Sequence, residues 1–105
     1  MIEDSLHPPY YAVIFSTVMC ENTKGYIAAA ERMEILAKQQ KGFLGIESAR
    51  NQIGITVSYW KTLEAITDWK NNVEHSEVRE LGRAKWYKKY QLRICKVERE
   101  YGFEK

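Results

Sequence analysis

Residues 43–60 read Phe43-Leu44-Gly45-Ile46-Glu47-Ser48-Ala49-Arg50, then Asn51-Gln52-Ile53-Gly54, then Ile55-Thr56-Val57-Ser58-Tyr59-Trp60. Two segments rich in β-branched and aromatic residues flank a four-residue polar and Gly-containing break. That pattern predicts an antiparallel hairpin, strand two over 43–50 and strand three over 55–60. Strand three alternates: Ile55, Val57 and Tyr59 point one way, Thr56, Ser58 and Trp60 the other. Each set holds a large aromatic, so both faces of the sheet require cover.

Upstream of the hairpin, Tyr26, Ala29, Ala30, Met33, Leu36 and Ala37 recur at helical spacing. They predict a helix from about Gly25 to Gln40, with Asn22 and Thr23 as candidate caps and Gly42 as a left-handed stop. Before it, Tyr10 to Met19 is nearly continuous in apolar residues through Phe15, the signature of a strand covered on both faces. Downstream, Thr62 is a fair N-cap, and Leu63, Ile66, Trp69, Lys70 and Val73 follow a second helical stripe. A further helical segment starts near Ser76, with Val78, Leu81, Gly82, Lys85 and Trp86 on one face. Gly82 there suits close approach to another backbone. Tyr90 to Arg99 closes the set as strand four, with Tyr90, Leu92 and Ile94 opposite Cys95 and Val97.

The order is β-α-β-β-α-β, the ferredoxin-like α+β plan: a four-stranded antiparallel sheet with both helices on one face. The other face of a lone copy would be left bare and apolar. The simplest cover is a second copy, which predicts a homodimer through the sheet face, a dimeric α+β barrel. Residues 10–103 form the single domain and residues 1–9 a tail.

Composition excludes several classes. At 105 residues there is room for one core. With 45% hydrophobic residues the chain should fold. No apolar run reaches the roughly 20 residues of a membrane span. Met1 to Tyr10 lacks a basic segment followed by an apolar one, which argues against a secretory signal and for a cytoplasmic protein without a membrane partner. Cys20 and Cys95 have no metal-type spacing, and His7 and His75 lie far apart, so no metal is expected; the thiols read as reduced and buried or half-buried. Arg79 to Arg99 carries eight basic residues against two acidic ones, with Trp86, Tyr87 and Tyr90 interleaved. A solvated helix face and strand explain that run better than nucleic acid does. No Gly-rich phosphate loop or other cofactor signature is present, so no cofactor is expected.

If one sheet face is used for dimerisation, a small-molecule pocket belongs between sheet and helices. Trp69, His75, Arg79, Arg83, Trp86 and Tyr87 are the residues placed to line it. His75, the only histidine inside the folded region, is a candidate general base near pH 7. Arg83 is a candidate for an anionic substrate group. Trp60, Trp69 and Trp86 serve either as core or as a flat wall for an aromatic ligand.

The stretch Val57-Ser58-Tyr59-Trp60-Lys61-Thr62-Leu63-Glu64-Ala65-Ile66-Thr67-Asp68-Trp69-Lys70 resembles the third strand and second helix of antibiotic biosynthesis monooxygenase (ABM) domains. Phe43-Leu44-Gly45-Ile46-Glu47 is similar to their second strand. Glu74-His75, Gly82-Arg83, Trp86-Tyr87 and Val97 to Phe103 are similar to a small bacterial branch of that superfamily. The resemblance spans Tyr10 to Phe103 and implies a dimeric α+β barrel. It implies a cofactor-independent monooxygenase acting on a small aromatic or quinol-like compound. In that reading His75 and Trp69 are the catalytic pair, His75 taking a proton, while Tyr59, Arg83 and Trp86 bind substrate, Arg83 at an oxyanion. Two alternatives accompany it. One is a non-enzymatic ligand-binding or stress-related dimer. The other is haem degradation, which the strand-one sequence disfavours: Ser16 and Thr17 stand there with no Asn near the middle, and His75 falls closer to Trp69 than an axial histidine would.

Overall fold

A computed structural model describes residues 2–3 and 6–105, with the Val73 side chain outside the described set; of the tail expected over 1–9, Met1, Asp4 and Ser5 also lie outside it. The elements are β1 (Tyr10–Met19), α1 (Tyr26–Lys38), β2 (Phe43–Arg50), β3 (Gly54–Trp60), α2 (Leu63–Lys70), α3 (Val73–Leu81), a π-helical turn (Gly82–Trp86) and β4 (Tyr87–Val97). The strands form one antiparallel sheet in the order β2-β3-β1-β4. The α+β ferredoxin-like plan read from the sequence is the one observed.

Register divides the sheet residue by residue. Tyr11 faces Trp60 and Lys96, Val13 faces Ser58 and Ile94, and Phe15 faces Thr56 and Leu92. Directly opposed residues share a face, and Trp60 packs on the helices, so this set is the helix side. Tyr10, Ala12, Ile14 and Ser16, with Tyr59, Val57, Ile55, Cys95 and Arg93, form the open side.

Trp60 is fully buried and sits with Ala37 of α1 and Ala65 and Ile66 of α2; Tyr11, Val13, Phe43 and Trp69 pack around that cluster. Gly42 has φ +86°, and a Cβ there would come within 2.7 Å of the Ala65 Cβ. It therefore both ends the α1 connection and lets α2 settle onto the sheet. Thr62 caps α2 by accepting from the Ala65 N–H at 3.0 Å.

Four expectations are corrected. Gly25, with φ +87°, occupies the α1 N-cap, while Asn22 caps only the preceding turn through the Lys24 N–H. β4 begins at Tyr87 and ends at Val97, earlier at both ends than expected, because the π-helical turn brings Trp86 inward and releases Tyr87 into extended backbone. Gly82 makes room for a ring rather than a backbone: a Cβ there would lie 2.6 Å from Tyr87 Cε2. Cys20 and Cys95 are free and exposed, not buried.

The open side is mixed rather than uniformly greasy. Ile14 and Val57 are half-buried and Ile55 is 46% exposed, but Arg93 and Gln91 share the face. At one end two phenols are locked to carboxylates: the Tyr10 hydroxyl donates to Glu100 and the Tyr59 hydroxyl to Glu47, each at 2.5 Å. Their rings meet edge to face at 5.7 Å. The Glu3 N–H donates to Glu47 at 2.9 Å, and the Ile46 N–H donates to the Glu3 carboxylate, so the amino-terminal segment covers part of the β2 edge.

Candidate functional site

A helix end leaves its last carbonyls without intrahelical donors. Those of α2 meet the first turn of α3, which starts after only Asn71 and Asn72. Asn72 caps α3, its side chain accepting the His75 N–H at 3.1 Å. Three side chains then turn back onto α2. His75 Nδ1 lies 2.9 Å from the Trp69 carbonyl, Ser76 Oγ donates to the Lys70 carbonyl at 3.1 Å, and Arg79 Nη1 approaches the same oxygen at 3.5 Å. A carbonyl only accepts, so the hydrogen bond places the proton of His75 on Nδ1. In the neutral ring Nε2 is then an unprotonated lone pair.

The imidazole stacks on Trp69, centroids 4.2 Å apart and planes 10° apart. Trp69 in turn stacks on Trp60 at 6.1 Å and 27°, and Trp60 donates its indole N–H to Ser58 Oγ at 2.9 Å. The buried core thus fixes Trp69, and Trp69 fixes His75. Burial holds the His75 pKa below its usual value; the Trp69 carbonyl pulls it upward, and the Arg79 guanidinium pushes it down again. Burial and Arg79 both favour the neutral ring.

The other residues read from the sequence fall elsewhere. Trp86 is 4% exposed and donates to the Lys24 carbonyl at 3.0 Å, a wedge beneath the start of α1. Arg83 is exposed and ion-paired with Glu80 on its own helical segment. Tyr59 points to the open side, away from Trp69 and His75. Only Trp69, His75 and Arg79 are gathered. Two hollows stand out among the described residues. One of about 480 Å³ lies between Leu6–Pro8 and Glu98–Tyr101, and one of about 290 Å³ beside Glu3, Lys38 and Glu47. Neither touches Trp69 or His75. The helix side is instead open over β4, where Leu92 is 46% and Ile94 50% exposed.

Sequence reasoning missed a second cluster on the same face. Arg50, at the end of β2, reaches across Gly54 to donate to Thr17 Oγ1, and its guanidinium carbon sits 5.8 Å from the Tyr26 ring centroid. Phe15, Tyr87 and Tyr90 form the adjoining wall, with Phe15 5.5 Å from Tyr87 and 5.3 Å from Tyr90. A signal existed: in the hairpin register Arg50 falls opposite Gly54, on the face of Trp60.

The ABM family model, described as antibiotic biosynthesis monooxygenase, matches residues 9–81. The chain belongs to the ABM family. Its relatives include the uncharacterized protein YqjZ of Bacillus subtilis (strain 168), 52% identical over 99 residues that cover 92% of this chain and 87% of the relative. Among solved structures, SnoaB, a cofactor-independent oxygenase from Streptomyces nogalater, aligns with a TM-score of 0.76 and 9% identity over 89% of this chain and 97% of SnoaB. SO0527 from Shewanella oneidensis aligns with a TM-score of 0.76 and 10% identity over 89% and 95%. At such identities the likeness is one of fold, and the ABM-family chain must be read from its own side chains.

Proposed function

We propose that this ABM-family chain is a cofactor-independent monooxygenase acting on a small aromatic or quinol-like compound, as a homodimer closed through the open sheet face. One observation carries the reading: His75 presents Nε2 as a proton acceptor on a ring held by Trp69 through both a hydrogen bond and a stack. Family membership and the fold shared with SnoaB, named a cofactor-independent oxygenase, support the reaction class.

In this reading Nε2 removes a phenolic proton from the substrate. The phenolate places negative charge on a ring carbon, and that carbon reacts with dioxygen. A quinol that takes up O2 leaves as a hydroxyquinone and one water. The ring supplies four electrons, one oxygen atom stays on carbon, and the other departs in the water with two hydrogens from the substrate. His75 returns its proton as that water forms. Trp69 orients the base and offers a flat edge to the substrate.

The experiment is oxygen uptake with a dihydroxy-aromatic substrate. General-base removal costs about 10²-fold or more, so His75→Ala should lower turnover by at least that factor. His75→Asn restores a donor to the Trp69 carbonyl without a base, and turnover should stay low. Unchanged turnover in both variants overturns the assignment.

A second reading, a ligand-binding dimer without catalysis, is favoured by the packing of Trp60, Trp69 and His75 against one another, away from the hollows. In that case tryptophan fluorescence changes on adding the same aromatic compounds and no product forms.

A further inference from the structure

Arg50 is exposed, but its guanidinium is held in a corner built by three other elements. Thr17, which accepts its hydrogen bond, is 2% exposed. Gly54 lies directly beneath, and a Cβ there would collide with the guanidinium. The Tyr26 ring stands 5.8 Å from the guanidinium carbon, a cation–π arrangement that holds the plane. Yet among the described residues no carboxylate pairs with Arg50; the ion pairs there are Arg32–Glu74, Lys38–Glu34 and Arg83–Glu80. A fixed planar cation with donors remaining, and no anion of its own, is the arrangement that receives a carboxylate through its fork.

What adjoins it selects the rest of the ligand. Phe15, Tyr87 and Tyr90 pack edge-on or tilted against one another at 5.3–5.8 Å, and half-exposed Leu92 pairs with Phe15 along the sheet. Burial raises the Tyr87 phenol well above the usual range, as does the neighbouring Tyr26, while Arg50 opposes the shift; the phenol remains a neutral hydrogen-bond group beside the cation. We infer that the Arg50–Thr17–Tyr26 corner is a binding site for an aromatic carboxylate, the acid group on Arg50 and the ring against Phe15, Tyr87 and Leu92.

The inference does not depend on the monooxygenase reading. Thr17 is six residues along β1 from Tyr11, the partner of Trp60, or about 20 Å of strand. Binding at Arg50 and chemistry at His75 can therefore be measured apart.

The test is isothermal titration with 2-naphthoate and with its neutral counterpart 2-naphthamide. A charge-assisted fork at a partly exposed site is worth about tenfold in affinity, so the wild-type chain should prefer naphthoate by about that factor, and the preference should shrink with added salt. Arg50→Gln should bring the two ligands to near parity, weakening naphthoate more than naphthamide. Arg50→Lys keeps the charge without the fork and should lose most of the preference; it decides the matter if the glutamine variant does not fold. His75→Asn should leave the preference intact. No preference in the wild type, or a preference that survives both Arg50 substitutions, overturns the site. Oxygen uptake that is indifferent to His75, with the naphthoate preference present and dependent on Arg50, upholds this site and counts against the monooxygenase reading alone.

Discussion

The two faces of the sheet come from the same strands and are covered differently. On the helix side, Trp60 is fully buried, its indole N–H is satisfied by Ser58, and successive rings run outward through Trp69 to His75. On the open side, the Tyr59 hydroxyl donates to Glu47, which also accepts the Glu3 N–H, and Val57 is only half-buried. The difference teaches that burial here is set by register. A shift of one residue in β3 would put Trp60 on the open side and Tyr59 into the core. It also explains why the His75 ring is held on the helix side: the finished core fixes Trp69, and Trp69 stacks on His75.

The strongest way to break this contrast is to remove its anchor. Trp60→Ala should cost about 3–5 kcal/mol, the range for a large aromatic truncated in a core, and it should release Trp69 and His75 with it. Urea unfolding followed by circular dichroism measures the loss. Val57→Ala, three positions back on the half-buried open side, should cost far less in the protomer. Equal losses would mean that the open face is covered as completely as the core.

Next in size is the effect on association. Val57→Glu places a charge in the middle of the open face, where it remains hydrated in a lone protomer but is desolvated against a second copy. Sedimentation should find a dimer in the wild type and a folded protomer in the variant at micromolar concentration. A dimer that survives the substitution would place the contact elsewhere, on the β4 edge or the tail.

Part of this contrast is legible in the amino-acid sequence. Alternation in Ile55 to Trp60 assigns both faces of β3, and helical spacing places Tyr26, Met33, Leu36 and Ala37 on the inner stripe of α1. The carboxy-terminal half is harder. A 3.6-residue period carried through Gly82–Trp86 misses the widening of the backbone into a π-helical turn, and it sets the start of β4 three residues late. Cys95 reads as buried because thiols are apolar, but it lies on the open face of the edge strand β4, exposed. His75 stands out because it is a rare residue type in the right region. Arg50 does not, because its corner is assembled from Thr17, Tyr26 and Gly54, and no local spacing joins residues on three elements.

The smallest effect is the most specific to the His75 joint. Its folded-state pKa lies below the unfolded value of about 6.5. Between those two values the unfolded chain binds more protons than the folded one, so stability rises with pH across that window. The contribution is complete above about pH 6.5 and is lost as pH falls through the folded pKa, because protonation puts a second positive charge beside Arg79 in a half-buried site. Midpoints of urea unfolding measured from about pH 7.5 down to about pH 5 should fall in the wild type. In His75→Asn the part of that slope below about pH 6.5 that comes from this ring should be absent, since asparagine retains a donor for the Trp69 carbonyl but does not titrate. An unchanged slope in the His75 variant would mean that Arg79 and the surrounding burial do not bear on the ring, and the neutral Nε2 of the proposed mechanism would lose its physical cause.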